Sequence, residues 1–230
     1  MLKPSKIGHR GAMAYIAENT LASFQKAIHL GVDGVELDVH KCKSGELVVF
    51  HDFTLDRITN GSGEISSFTL PELKKLKVLK EHSIPTLVEV LKVIKTPCTF
   101  NIELKGINTA KGTVAIIEDF VKNNGASYNQ FIVSSFQKSE LLAVYKSNLK
   151  IPLGVLTKAN VTEAIAFAKT IKAKAIHPNF SLLSKNNVKQ AQMEGFKINT
   201  WTVNDTSDIE RMVSYNVDAI MSDFPDRLQW

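Results

Sequence analysis

The feature that most constrains the fold is a repeated alternation of short apolar runs with longer segments of helical period. Apolar residues that recur every three or four positions predict helices, and the short runs between them predict strands. The strand-like runs are residues 6–9, 35–39, 99–104, 131–134, 152–156, 175–177, 197–202 and 219–222. The helix-like segments are 87–94, 109–123, 138–147, 161–171, 184–194, 206–215 and a first one that begins after Asn19 or Thr20 and stops at Gly31.

Eight strands that alternate with helices predict a parallel sheet, and eight parallel strands close into a (β/α)8 TIM barrel. The 230 residues are near the usual size of about 250 for that fold. A doubly wound open sheet is the competing architecture. It is disfavoured because Gly8 and Gly11 flank the first strand end without the G-x-G-x-x-G spacing. We therefore predict a single TIM-barrel domain over residues 1–230.

One stretch interrupts the alternation. A further apolar run at 47–50 extends the second unit, and then the chain becomes rich in turn residues around 59–63, with a short helix-like piece after Leu70. Regularity returns near Thr86, which is predicted to cap the next helix. The sequence therefore predicts a small insertion subdomain at about 53–83.

Charge and hydropathy limit the partners. The net charge is +5, but the lysines are scattered and form no basic run, so we expect an anionic small molecule and no nucleic acid. No apolar segment approaches the roughly 18 to 20 residues of a membrane span. Cys42 and Cys98 are isolated, residues 1–6 are too short and polar for a signal peptide, and a cytoplasmic monomer or homodimer is expected.

Three carboxylates lie at predicted strand ends. Glu36 and Asp38 project to the same side of one strand, and Glu103 lies near the end of the next principal strand. A lone Glu-x-Asp pair is more simply a solvated strand face, but in a barrel the three side chains converge on one mouth. There they would repel one another unless a hard divalent cation lay between them. Ligands that are all oxygens favour Mg²⁺ or Ca²⁺ over zinc.

Two histidines and two cationic side chains follow the same strand ends. His9 and His51 carry the type of side chain suited to proton transfer near neutrality, here to and from a phosphodiester. Arg10 offers a planar donor fork for phosphate oxygens, and Lys105 offers a point charge. For Lys105, a salt bridge at the rim of the barrel is an equally good interpretation. These residues predict a phosphodiester-hydrolysing site.

A series of short motifs runs along the chain in order. They are His9-Arg10-Gly11, Glu18-Asn19-Thr20, Glu36-Leu37-Asp38, His51-Asp52 and Glu103-Leu104-Lys105. The series resembles the glycerophosphodiester phosphodiesterase family, a family of TIM barrels. Residues 55–61, 84–87, 199–204 and 222–225 are similar to that family as well. Two departures are Ala17, where members commonly have proline, and Ile58, where threonine is commoner.

The resemblance implies an enzyme of lipid and glycerol metabolism that hydrolyses glycerophosphodiesters, such as glycerophosphocholine or glycerophosphoethanolamine, to glycerol 3-phosphate and an alcohol. It implies that His9 and His51 are the general acid and base, and that one divalent cation, Mg²⁺ or Ca²⁺, is held by Glu36, Asp38 and Glu103. The implied substrate contacts are Arg10, Lys105, Asn19 and Trp201. Trp201 is equally well interpreted as barrel filling.

Three alternatives stay open at this stage. A lysophospholipase D or sphingomyelinase D type activity uses a similar site but calls for an apolar face near the mouth, to which Phe53 and Phe68 would contribute. A metal-dependent carbon–carbon lyase on the same fold would not need two histidines. A phosphate-binding barrel without catalytic activity is disfavoured by the complete set of histidines and carboxylates.

Overall fold

The structure is a computed structural model that describes residues 3–94 and 97–230, and within these ranges eight parallel strands close into a barrel. The parallel strands are β1 (Ser5–Gly8), β2 (Gly34–Lys41), β4 (Thr99–Leu104), β5 (Phe131–Ser135), β6 (Leu153–Thr157), β7 (Ala175–Pro178), β8 (Lys197–Thr200) and β9 (Ala219–Ser222). A short strand, β3 (Leu47–Val49), pairs antiparallel to β2. Pairing of β1 with both β2 and β9 closes the ring, so the predicted TIM barrel is confirmed.

The helices pack outside the barrel, between strands that follow one another in sequence. They are α1 (Leu21–His29), α2 (Leu70–Lys75), α3 (Leu87–Val93), α4 (Ala110–Asn123), α5 (Lys138–Ser147), α6 (Val161–Thr170), α7 (Lys185–Met193) and α8 (Thr206–Ser214). Alternation along β2 shows how the layers arise: Val35, Leu37 and Val39 join the main hydrophobic core, which leaves Glu36 and Asp38 on the opposite face. The apolar side chains on one face of such a strand therefore pack against the helices, and the side chains on the other face line the inside of the barrel.

Capping side chains set where two helices begin. Thr20 accepts a hydrogen bond from the Ser23 backbone N–H at the start of α1, and Thr86 forms a reciprocal capping box with Glu89 at the start of α3. Strand β8 ends at Thr200, two residues earlier than predicted. The apolar run continues beyond the sheet ladder, because residue 201 makes just an isolated bridge outside the named strands.

A second hydrophobic cluster, separate from the barrel core, joins the segment between β3 and α3 to Ala17, Cys42 and Val48. Its buried members are Ala17, Cys42, Val48, Phe50, Leu55, Ile65, Leu73, Val78 and Ile84. Phe68, expected near the mouth, packs against this cluster. The segment thus has an apolar centre of its own, beside the C-terminal ends of β1 and β2. The division into one domain with an insertion at 53–83 stays a prediction. Among the described residues, none of the helices combines the length and the hydropathy needed to cross a membrane.

Candidate active site

Three buried carboxylates meet at the C-terminal end of the barrel. Asp38 on β2 lies directly opposite Glu103 on β4 in the parallel register. Glu36 lies two residues before Asp38, on the same face of β2. One oxygen from each of these side chains lies within 4.8 Å of the other two. The predicted convergence of these carboxylates is therefore present, and its cause is the strand register rather than any local turn.

The cluster is electrostatically strained without a cation. Burial, together with the charges of Asp38 and Glu103, raises the pKa of Glu36 well above its ordinary value. Burial and the charge of Asp38 raise the pKa of Glu103 to about 7. Burial acts in the same direction on Asp38, but Arg10, first among several charged neighbours, outweighs it and lowers the pKa of Asp38. A group of buried oxygens in this state matches the donor set of a hard divalent cation.

Arg10 lies at a tight turn that follows β1. Its backbone has a φ of +51°, and the turn directs its N–H to Glu36 Oε2 at 2.9 Å. Its guanidinium donates from NH1 to Glu18 Oε1 at 2.8 Å, and its Nε lies 3.4 Å from Asp38 Oδ2 without hydrogen bonding to it. Within the described residues this buried Nε–H meets no acceptor. Arg10 therefore keeps one donor available beside the acidic cluster.

His9 is held by the last strand of the barrel. Its Nδ1 lies 2.6 Å from Asp223 Oδ1, and its Nε2 lies 3.9 Å from Glu36 Oε2. Asn204 donates to the other carboxylate oxygen of Asp223 at 2.8 Å and accepts from the Asp223 backbone N–H at 3.0 Å. Burial would raise the pKa of Asp223, but the hydrogen bond from His9 and its charge lower it. The ionised carboxylate accepts, so Nδ1 carries the proton and Nε2 faces the cluster.

His51 has a similar arrangement built from its neighbour in sequence. Its Nδ1 lies 2.7 Å from Asp52 Oδ1. Partial burial lowers the pKa of His51, and the negative charge of Asp38 acts in the opposite direction. Burial would raise the pKa of Asp52, but hydrogen bonds from Arg57 and His51 lower it to about 2. Asp52 is therefore ionised, and it holds the proton of His51 on Nδ1.

Asn19 and Lys105 both contact the carboxylate of Asp38. Asn19 donates to Asp38 Oδ2 at 2.9 Å and accepts from the Asp38 backbone N–H at 3.3 Å. The Nζ of Lys105 lies 3.8 Å from Asp38 Oδ1 and 3.1 Å from Glu103 Oε1. Lys105 thus makes its salt bridges within the acidic cluster itself, and its role as a phosphate contact stays a prediction.

Trp201 forms an aromatic pair with Phe136, and the two residues directly follow β8 and β5. The two rings meet edge to face with centroids 5.7 Å apart. The indole N–H donates to the backbone oxygen of His177 at 2.8 Å, which fixes the ring. The His177 side chain is completely buried, and burial lowers its pKa to about 3, so it is a neutral packing residue.

The opposite end of the barrel has a different character. A cavity of about 660 Å³ opens there, and its lining includes Ser5, Thr99, Ala175 and Ala219, each the first residue of a strand. The acidic cluster and both histidine–carboxylate pairs lie at the other end. Because TIM-barrel enzymes place their chemistry at the C-terminal ends of the strands, that end is the candidate active site.

Sequence reasoning found most of these residues but missed their partners. The predicted His9, Arg10, Glu36, Asp38, Glu103, Lys105, Asn19 and His51 share this network of contacts and charges, and Trp201 lies above β7 and β8. Roles were not assigned to Asp223, Asp52, Glu18, Arg57 or Asn204. Asp223 had a usable signal, since it directly follows one predicted strand just as His9 ends another.

This combination of fold and site defines a TIM-barrel enzyme with two histidine–carboxylate pairs beside a candidate metal cluster. Residues 9–227 match the model of the glycerophosphoryl diester phosphodiesterase family. A glycerophosphodiester phosphodiesterase of Caldanaerobacter subterraneus subsp. tengcongensis is 37% identical, with 99% of this chain and 97% of the relative covered. One of Bacillus altitudinis is 36% identical, with 95% and 94% covered. The chain belongs to the glycerophosphoryl diester phosphodiesterase family.

Solved structures agree with this assignment. A phosphodiesterase from Oleispira antarctica, in complex with its product sn-glycerol-3-phosphate, has a TM-score of 0.89 and 29% identity, with 99% of this chain and 96% of that chain covered. A glycerophosphodiester phosphodiesterase from Thermotoga maritima has a TM-score of 0.80 and 27% identity, with 98% and 97% covered. The chain is therefore a phosphodiester hydrolase, and the interpretations as a lyase or as a non-catalytic barrel are set aside.

Proposed function

We propose that this protein hydrolyses glycerophosphodiesters, such as glycerophosphocholine or glycerophosphoethanolamine, to glycerol 3-phosphate and an alcohol, with His9 and His51 as general acid and base. One observation carries the proposal: each histidine is held at Nδ1 by an ionised carboxylate, His9 Nε2 lies 3.9 Å from Glu36, and the charge of Asp38 acts on His51. Two imidazoles in that state supply the two proton transfers that cleavage of a phosphodiester requires.

The donor set supports a divalent cation at Glu36, Asp38 and Glu103. These are buried carboxylates with oxygens close together, and burial together with the neighbouring carboxylates raises the pKa of Glu36 and of Glu103. When bound there, a cation such as Mg²⁺ or Ca²⁺ supplies Lewis-acid polarisation of a phosphate oxygen and of a neighbouring hydroxyl. Asn19 orients Asp38 for that role through its two hydrogen bonds.

The histidines divide the proton transfers between them. One imidazole takes the proton of the attacking hydroxyl at its free Nε2, and the other, as the imidazolium, gives its Nε2 proton to the departing alkoxide. Attack by a glycerol hydroxyl yields a cyclic phosphate that water then opens, and attack by water yields the product directly. The same pair of imidazoles serves either route, with their roles reversed when the cyclic phosphate is opened.

Cationic side chains bind the phosphate in this proposal. The buried Nε–H of Arg10, which meets no acceptor within the described residues, is suited to a phosphate oxygen, since an unsatisfied buried donor is costly. Lys105 provides a second charge from within the cluster. Trp201, with Phe136, provides an apolar wall for the glycerol moiety.

The test is hydrolysis of glycerophosphocholine, with glycerol 3-phosphate and choline measured separately. We expect a chelator to abolish turnover and Mg²⁺ or Ca²⁺ to restore it. His9→Ala and His51→Ala should each lower kcat by about 10²- to 10⁴-fold. His29→Ala, an exposed residue at the end of α1, should keep wild-type activity. Full activity of either site variant would remove that histidine from the mechanism.

Exposed apolar side chains favour a second candidate activity, on lysophospholipids. Phe53 is 57% exposed and Ile107 is 68% exposed, and both lie on loops that follow strands at the mouth. Tyr15 and Phe136 are exposed on two more of these loops. An acyl chain could lie against such a rim while the diester occupies the site. A panel that compares glycerophosphocholine with lysophosphatidylcholine decides between the two, because the higher kcat/KM identifies the preferred substrate.

Four expectations about the wider setting of the protein stay predictions. They are a cytoplasmic location, the absence of a nucleic-acid partner, the absence of stable membrane insertion and a monomeric or homodimeric state.

A further inference from the structure

We propose that Arg57 is a positioning residue that fixes the orientation of the acid–base histidine His51 relative to the phosphate-binding Arg10. It does so by linking the carboxylates that each of them contacts. The inference rests on the proposed function for the roles of His51 and Arg10, and the link itself rests on the hydrogen bonds described below.

The first half of the link joins Arg57 to His51 through Asp52. Arg57 donates from Nε to Asp52 Oδ2 at 2.5 Å and from NH2 to Asp52 Oδ1 at 3.1 Å. The same Oδ1 lies 2.7 Å from His51 Nδ1. The guanidinium therefore holds the plane of the carboxylate, and that plane determines where the proton on Nδ1 points and where Nε2 faces.

The second half joins Arg57 to Arg10 through Glu18. Arg57 donates from NH1 to Glu18 Oε2 at 2.9 Å and from NH2 to Glu18 Oε1 at 2.7 Å. Arg10 donates to the same Oε1 at 2.8 Å. Burial would raise the pKa of Glu18, but the hydrogen bond from Arg57 and the charges of both arginines lower it. Glu18 is thus an ionised bridge between two guanidinium groups, with its own side chain 7% exposed.

The geometry requires arginine at position 57. A guanidinium has two donor forks, and Arg57 uses one on Asp52 and the other on Glu18, with NH2 shared between them. A lysine ammonium carries the same charge but cannot hold two carboxylates in one plane. Because the Arg57 side chain is 48% exposed, each contact adds little to stability, and orientation is the main effect that we expect.

The chain around Arg57 is anchored, which makes this positioning effective. Leu55 is fully buried in the second hydrophobic cluster, and Ile58 packs against that cluster. Thr59 Oγ1 donates to the backbone oxygen of Leu55 at 2.7 Å and fixes the turn between them. The segment after β3 therefore presents one guanidinium to the barrel mouth from a packed support. Its contribution to the site is this bridge between β1 and the loop that carries His51.

The experiment compares Arg57→Gln and Arg57→Lys with a matched control, Arg211→Gln. Arg211 also pairs with an aspartate, Asp208, but on α8 away from the site. Each variant is measured for kcat and KM on glycerophosphocholine, for Tm, and for the histidine ring ¹H–¹⁵N signals of the resting protein without metal or substrate. The signal of the His51 Nδ1–H is assigned by its loss in His51→Ala.

We expect Arg57→Gln to lower kcat about 10- to 100-fold, as removal of an outer partner of a reacting group commonly does, and to shift or broaden the His51 Nδ1–H signal. Arg57→Lys should have a kcat between those of the wild type and Arg57→Gln. Arg211→Gln should match the wild type in kcat and in the His51 Nδ1–H signal. A merely structural role would change Tm and leave the His51 signal of the folded protein in place.

Wild-type kcat together with an unchanged His51 signal in Arg57→Gln would overturn the proposal. If that variant does not fold, Arg57→Lys decides by the same two readouts. If the wild type itself does not hydrolyse the diester, the proposed function fails separately, and the His51 signal alone still tests the positioning role of Arg57.

Discussion

His9 Nδ1 and Asp223 Oδ1 lie 2.6 Å apart although 214 residues separate them in the chain. Closure of the barrel between β1 and β9 brings them together, with Gly8 opposite Ser222 in the parallel register. The Asp223 carboxylate is fixed in turn by Asn204, so the orientation of the histidine depends on the last two strands of the fold.

Asp223→Asn should lower kcat by about 100-fold, with little change in Tm. The amide can offer an N–H to Nδ1, which would move the proton of His9 to Nε2 and leave no free base facing the site. The measurement is kcat on glycerophosphocholine. Asp226→Asn is the control, since Asp226 accepts from Tyr15 on the surface. Equal activities for the two variants would show that Asp223 does not orient His9.

Glu36→Gln should raise the Tm of the chelated protein and remove its response to metal. The substitution removes one of three buried negative charges but retains an oxygen that can accept from the Arg10 N–H. In the wild type, a cation at 100 times its Kd stabilises the fold by about 2.7 kcal/mol, or roughly 5 to 10 °C in Tm. Melting curves with and without Mg²⁺ or Ca²⁺ test this. The exposed Glu81→Gln serves as control, and an equal response in both variants would contradict the cluster as the metal site.

Glu103 should give the metal-free protein a component of stability that is lost as pH rises between about 4.5 and about 7, opposite in sign to the contribution of the buried His177. The pKa of Glu103 is raised from 4.5 to about 7 in the folded state, so the folded protein binds more protons in this range than the unfolded chain. This contribution of Glu103 to the free energy of unfolding is fully present below the pKa of the unfolded chain and is lost as pH rises through the pKa of the folded protein. Its upper size is on the order of 3 kcal/mol. Urea unfolding of the chelated protein across this range measures it.

The control for this pH effect is Glu103→Gln, which should lose the component of the slope that belongs to Glu103. Adding the divalent cation to the wild type should remove the same component, because the ionised carboxylates then have a partner. Identical pH dependence in wild type and variant would show that Glu103 does not titrate in this range.

Gly11→Ala should destabilise the fold by about 2 to 5 kcal/mol, whereas Gly31→Ala should cost about 1 to 2. Both glycines have positive φ, at +86° and +78°. A Cβ at Gly11 would lie 2.4 Å from Ser23 Oγ, and one at Gly31 would meet nothing within 4 Å. Urea unfolding compares them. Equal losses would mean that the contact of the turn after β1 with α1 is not tightly packed.

Local patterns in the sequence were sufficient for the architecture and for most of the acid and base residues. Glu36 and Asp38 alternate with residues of the core, Glu103 lies near the end of a strand, and His51 follows an apolar run, so strand periodicity and strand ends placed them at the barrel mouth. The end of β8 was predicted two residues too late, because an apolar run continues past the last ladder pair and hydrophobicity does not mark where pairing stops.

The amino-acid sequence by itself determined the barrel, its acidic strand ends and its two histidines, because periodicity and strand ends are properties of neighbouring residues. The tertiary structure decided which partners orient the site residues. Asp223 contacts His9, and Glu18 links Arg57 to Arg10. Those pairs depend on barrel closure and on how the segment after β3 packs. Both are set by contacts between residues far apart in the chain, which no local pattern encodes.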